Sequence, residues 1–424
     1  MDARNKKRRN LLQNIAIVLL LSSAAALFAQ TQLYNLHTET GYLSSFFSSS
    51  APSPQNISGL SDLPMPTRVA VTGAYGRWAN LSMTTGSEEF AQLGSLLMEA
   101  LGSAGSLRPC TEADFQAALG AGGDYGSSVY YDFENALPLS LLAGLVGANW
   151  IGGDLLARRV LLAAEQDAVQ LYLWDGESAC FLCPTALPMA ALRETVSVYP
   201  LGSAYFAFDQ PENYSHVAPF SLFSDQLIPP AELGITSAIS DVNALMTALS
   251  FNPHTNFRYS ESSGADVVVE GDRTLRIRSD GEVSYQGSSG SLHISSPDET
   301  PTEAEIAVGV YQLLRDLLAQ QGGAGLYLQS FQMDETAASL TFGYQFNGMP
   351  LRFADGGAAA EVTVEGAAVT RLTLRVRQCA AKEAAGLLLP LPQALSIARS
   401  YPGRELTLCY VDSGSAASAQ WLAE

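Results

Sequence analysis

Five cysteines, four histidines and scattered carboxylates are the residues of this 424-residue chain whose types could carry chemistry. Cys180 and Cys183 form a C-x-x-C, the spacing of a redox dithiol or of half a zinc site. A redox dithiol of the thioredoxin type needs its first cysteine at a helix N-terminus, where the dipole lowers the thiol pKa. Here both cysteines fall in a segment patterned as a strand, where positions three apart face opposite ways. Zinc would need a second C-x-x-C or a nearby histidine pair, and the sequence offers neither. Cys379 and Cys409 end two C-terminal strands and would pair only if those strands are neighbours. His37, His216, His254 and His293 show no H-x-x-x-H spacing. The turn-like run from Asn252 to Asn256 could offer polar ligands around His254, but it also fits an Asx-turn between a helix and a strand. There is no G-x-S-x-G elbow for a serine nucleophile, and the glycine-rich stretch at 120–126 lacks a phosphate-binding spacing. The carboxylates Glu88, Glu89, Glu303 and Glu305 open predicted helices, where the helix dipole accounts for them. The expectation is a non-enzymatic chain with no catalytic, metal or cofactor-binding residues and no cofactor.

The elements around these residues read as α+β. The pattern predicts a strand or hairpin over 69–81, helices over 88–101 and 111–119, a strand over 129–133, and a helix over 139–146 introduced by Pro138. A hairpin follows, with strands at 169–174 and 179–183 turning at Asp175-Gly176, then a helix over 187–195 and a strand over 204–208. Leu275 and Ile277 alternate with Arg276 and Arg278, and Asp280-Gly281 turns the chain back through Val283 and Tyr285. Thr302 with Glu305 forms a capping box before a stripe of Ile306, Val310, Leu313, Leu314 and Leu317. Strands are expected over 326–333, 339–346, 351–353, 361–365 and 369–376, then a helix over 394–400 and a closing strand over 405–411. This divides the folded part into an N-terminal α+β domain (67–232), a central hairpin-containing subdomain (233–295) and a C-terminal α+β domain (296–424), with helices packed on mainly antiparallel sheets.

The charge is distributed in a way that speaks to topology. The chain holds 23 Lys+Arg and 42 Asp+Glu, a formal net charge of −19. Residues 1–10 contain Arg4, Lys6, Lys7, Arg8 and Arg9 against Asp2, so the remainder has 18 basic and 41 acidic groups. A body of net −23 repels phosphate backbones, which disfavours nucleic acid as a partner. Residues 11–29 carry no charge, long enough for a transmembrane helix, and the preceding cations keep the N-terminus cytoplasmic. The competing reading is a cleaved signal peptide, for which Ala24-Ala25-Ala26 supplies the small-residue site. Either way the bulk of the chain is extracytoplasmic, and residues 30–66, rich in Ser and Pro, form a tether. Within the span, Ser22 with Ala26 and Ala25 with Ala29 make two small-x-x-x-small pairs. Those four residues are the candidate contacts for a partner helix; alanine and serine simply tolerated in the span is the alternative.

Three segments carry a resemblance: VYYDFENALPL at 129–139, RTLRIRSDG at 273–281 and FGYQFNGMP at 342–350. With the basic tail, single span and tether, they resemble YycH-type proteins, and the last also resembles the sheet of YycI-type proteins. The resemblance implies a membrane-anchored, non-enzymatic regulator of a cell-wall-sensing histidine kinase in a Gram-positive bacterium, contacting the kinase and a sister regulatory protein. No residue role transfers from it. Two other functions remain open: a secreted or anchored module binding an envelope peptide or polymer, and an envelope hydrolase with dispersed catalytic residues.

Overall fold

The computed structural model describes Leu63 and residues 67–424, apart from 81–87, 121–125, 225–228, 230, 255, 289–291, 297–299, 320–324 and 383–387. The predicted span at 11–29, nearly all of the tether and His37 lie outside the described residues. No described helix is long and apolar enough to cross a membrane.

The fold is α+β with mostly antiparallel strands. The first sheet is built from β1 (Arg68–Gly73), β2 (Gly76–Asn80), β3 (Arg108–Cys110), β4 (Ser128–Pro138), β5 (Leu156–Glu165), β6 (Ala168–Trp174), β7 (Cys180–Pro184), β8 (Ala204–Phe206) and β9 (Leu222–Ser224). Its nine strands lie in the order β3-β7-β6-β5-β4-β1-β2-β8-β9. The second sheet begins with β10 (Glu232–Thr236), β11 (Phe257–Ser260), β12 (Asp266–Glu270), β13 (Arg273–Ile277) and β14 (Glu282–Gln286). It continues through β15 (Gly325–Met333), β16 (Ala337–Phe346), β17 (Met349–Phe353), β18 (Ala360–Glu365), β19 (Ala368–Arg375), β20 (Gln378–Ala381), β21 (Leu406–Asp412) and β22 (Ala416–Ala423). The pairing of β17 with β21 is parallel; the other strand pairs are antiparallel. The strands from the 233–295 stretch pair into the same sheet as the C-terminal strands, β14 through β19 and β10 through β20 and β22.

Eight helices cover these sheets among the described residues: α1 (Glu88–Gly102), α2 (Glu112–Gly120), α3 (Leu139–Leu145), α4 (Met189–Ser197), α5 (Pro211–Tyr214), α6 (Val242–Ala248), α7 (Glu303–Ala319) and α8 (Leu391–Ala398). Helices α1, α3 and α4 cover one face of the first sheet, and α2 covers the other against β5. One continuous apolar core runs from the first of these faces, through α3 and α7, into the second sheet. Gly144 lets α3 approach α7 closely, since a Cβ there would sit 2.7 Å from the Ala304 Cβ. The opposite face of the first sheet holds a separate aromatic core centred on Phe115.

The capping box forms as its spacing requires: the Thr302 N–H and hydroxyl donate to Glu305 at 2.8 and 2.9 Å, and the Glu305 N–H donates back at 3.3 Å. Two departures from the sequence expectation have plain causes. Helix α8 starts at Leu391 because Pro392 sits in its first turn, where a missing N–H leaves no helical bond unmade. Strand β5 is buried nearly throughout, so it shows a continuous apolar run rather than alternation.

Candidate functional site

Strand β5 carries Arg158 and Arg159 near its start, and antiparallel register places Arg159 opposite Asp132 on β4. Asp132 is in turn opposite Arg68 on β1. The same row continues outward from Arg159 to Trp174 on β6, Cys180 on β7 and Cys110 on β3. Directly paired residues share a face, so these six side chains form one line across the sheet.

At its inner end the row makes a buried ion cluster. Asp132 is fully buried, and its carboxylate accepts from Arg68 Nη2 at 2.9 Å, the Tyr130 hydroxyl at 3.0 Å and the Glu134 N–H at 2.8 Å. The Nε atoms of Arg158 and Arg159 each lie 3.6 Å from it. Glu405, just before β21 of the second sheet, completes the cluster. It forms an ion pair with Arg68 Nη1 at 2.5 Å and accepts from Arg158 Nη2 at 2.7 Å and Arg159 Nη2 at 3.0 Å. Arg159 also lies over the Trp174 and Phe220 rings, at 4.8 and 4.7 Å from their centroids. Three arginines of one sheet thus hold a carboxylate of the other.

A second set of contacts crosses beside the first. The β4–β5 register shifts between Asp132 and Leu137, and Glu134 takes a left-handed φ of 69° there. A non-glycine residue in that region is strained and must be held by its surroundings. Glu134 is held by the Tyr327 hydroxyl at 2.8 Å, Gln329 Nε2 at 3.2 Å and Arg352 Nη1 at 2.9 Å, all from the second sheet. The Asn135 amide adds a bond to the Gln329 carbonyl at 3.1 Å. Arg352 also reaches Glu424 at 3.2 Å. The cleft above these residues, about 640 Å³, is lined among others by Arg68, Glu134, Arg158, Arg352, Glu405 and Glu424.

Burial by itself would raise the Asp132 carboxyl, but the charges of Arg68, Arg158 and Arg159 override it and hold it well below the usual carboxylate range. Burial likewise opposes the charge on Arg68, and Asp132 with Glu405 more than restores it. A carboxyl whose folded pKa is depressed contributes stability above its unfolded value near 4, and loses that contribution as pH falls through the folded range. Thermal unfolding followed by circular dichroism should therefore hold its midpoint from neutral pH to about 5 and fall below about 4. Asp132→Asn should flatten that acid limb; an unchanged limb in the variant would remove Asp132 from the account.

The structure places the other sequence candidates as follows. Cys180 and Cys183 do point to opposite faces of β7, each into a different core. Cys379 and Cys409 lie on strands separated by β22 and β10, so they are not neighbours, and all five cysteines are free thiols. The His254 N–H bonds Asn252 Oδ1 at 2.9 Å, making the Asx-turn. His216 Nε2 contacts the Leu395 carbonyl at 2.8 Å. Ser22, Ala25, Ala26 and Ala29 lie outside the described residues. The described residues hold no group of three metal-ligating side chains. Sequence inspection did not single out Arg68, Arg158, Arg159 or Glu405; the available signal was an Arg-Arg pair at the head of an apolar run.

A solved structure similar to this chain is that of YycH from Bacillus subtilis. The match covers 85% of this chain and 94% of that one, with a TM-score of 0.49 and 13% sequence identity. No family model matches the chain, and no curated protein does.

Proposed function

We propose that the chain is a non-enzymatic, single-pass membrane regulator that modulates a sensor histidine kinase through its span and its extracytoplasmic body. The observation carrying this reading is where the tether enters the fold. Thr67 and Arg68 are the first continuous described residues after the tether, and both are built into the junction between the two sheets. Thr67 bonds the Asp132 carbonyl through its N–H at 2.9 Å and its hydroxyl at 3.0 Å, while Arg68 grips Asp132 and Glu405. A displacement of the tether relative to the membrane would act directly on the contact between sheets. In the reverse direction, a change at that contact would act on the span. The cation cluster at 1–10, the uncharged segment at 11–29 and the three family-like segments support the same reading. In it, Ser22, Ala25, Ala26 and Ala29 form the helix face that meets the partner span, and a sister regulatory protein joins the assembly.

The test is co-purification of the full chain from membranes, with proteins identified by mass spectrometry. A histidine kinase should be captured, and it should be lost when residues 1–30 are replaced by an unrelated span. Capture of no kinase by either form overturns the reading. The cleft favours a second reading, an anchored envelope-binding module, because arginines and glutamates face one space large enough for a short peptide or sugar. A mature N-terminus at Leu27, found by terminal sequencing, would favour that module over the regulator.

A further inference from the structure

At the outer end of the row that starts with Arg68, Cys110 and Cys180 are direct cross-strand partners in the antiparallel pair of β3 and β7. The two thiols interact with each other side chain to side chain. Directly opposed residues in such a pair have Cα atoms about 4.5–5.5 Å apart, within the range of about 4.4–6.8 Å that a disulfide spans. Cys110 is half-buried and reachable from solvent; Cys180 is buried beside its cross-strand partner Trp174, in the core that also holds Phe115. The other three thiols have no such neighbour, since Cys183 faces the opposite core and Cys379 and Cys409 lie on separated strands.

We propose that Cys110 and Cys180 are an oxidisable dithiol that closes to a cross-strand disulfide, fastening edge strand β3 to β7. Strand β3 has three residues and a single partner strand, and it leads directly into α2. The bond therefore ties down a short edge of the first sheet together with the helix that covers its aromatic core. The oxidant is a small disulfide such as oxidised glutathione. The Cys110 thiolate attacks one of its sulfurs, the glutathione S–S bond breaks, and one glutathione leaves as thiolate. The Cys180 thiolate then attacks the Cys110 sulfur of the mixed disulfide and displaces the second glutathione. The two protons lost from the cysteines end on the two glutathione thiols, and the two electrons reduce the oxidant.

The full chain in detergent micelles, incubated with oxidised glutathione and then denatured for thiol counting, should fall from five free thiols to three. Intact mass should show loss of two hydrogens without a glutathione adduct, peptide mapping should join Cys110 to Cys180, and the thermal midpoint should rise. Dithiothreitol should restore all five thiols. Cys110→Ser should keep its four thiols under the same oxidant, whereas Cys183→Ser should still lose two. Five thiols surviving in the wild-type chain, an unresolved adduct on Cys110, or a bridge mapped to another pair overturns the proposal. Mapping on the wild-type chain decides the matter even where a serine variant folds poorly.

Discussion

Asp132→Ala should lower the unfolding free energy by about 3–5 kcal/mol, the range found when one member of a buried ion cluster is removed and its partners stay. The direction follows from what is left behind. Arg68 and Arg159 are buried, Arg158 is partly so, and without Asp132 the three share Glu405 alone. Tyr130 and the Glu134 N–H lose their acceptor in the same step, and an orphaned buried donor adds its own desolvation cost. Asp132→Asn keeps the shape and an acceptor oxygen while removing the charge, so it should fall between the wild type and the alanine variant. Equilibrium denaturation in urea measures this as a lower midpoint with an unchanged slope. A loss below about 0.5 kcal/mol for the alanine variant would place the cluster among the solvent-screened surface pairs and remove it as the fastening between sheets.

The same cluster shows where a sequence is informative and where it is silent. Patterns confined to one element were legible: the alternation through β13 and β14, whose Leu275, Ile277, Val283 and Tyr285 are all buried, and the cap and stripe of α7. Among the strands that the sequence pattern left unpredicted, two illustrate opposite reasons. Strand β5 has both faces buried and so lacks a period, and β22 is a small-residue run whose apolar content is weak. Asp132 and Glu134 sat in a segment already singled out for its resemblance, yet nothing in their spacing tied them to Arg68, Arg159 or Glu405. Those links come from register between strands distant in sequence, and register is set by which faces must be buried. Cysteine shows the same limit. A C-x-x-C is conspicuous, but a strand carries Cys180 and Cys183 to different faces, and the partner of Cys180 is Cys110, which the chain brings in through a separate edge strand.

The second large effect is expected at Phe115, where Ala should cost about 3–5 kcal/mol, as for other buried phenylalanines truncated in a core. Phe115 is fully buried and lies within 6.3 Å, centroid to centroid, of Tyr130, Tyr172, Trp174 and Phe220. Truncation removes those edge and tilted ring contacts and leaves a cavity that the sheet side cannot fill, because β4, β5 and β6 are fixed by their hydrogen bonds on both sides. Helix α2 buries only Phe115 and Leu119 among its side chains, so it cannot compensate by repacking. Its N-terminus is held by a Thr111–Asp114 box with bonds at 2.7–3.1 Å, which fixes the helix start but not its seat on the sheet. The variant should therefore loosen α2 and the neighbouring β3 before the rest of the chain. Hydrogen exchange would report this as lost protection over 108–120 under conditions where β16 and β19 remain protected. Phe115→Leu, which refills most of the volume without the ring, should recover more than half of the loss. If the alanine variant instead unfolded with uniform loss of protection, α2 would belong to the same cooperative unit as the central strands.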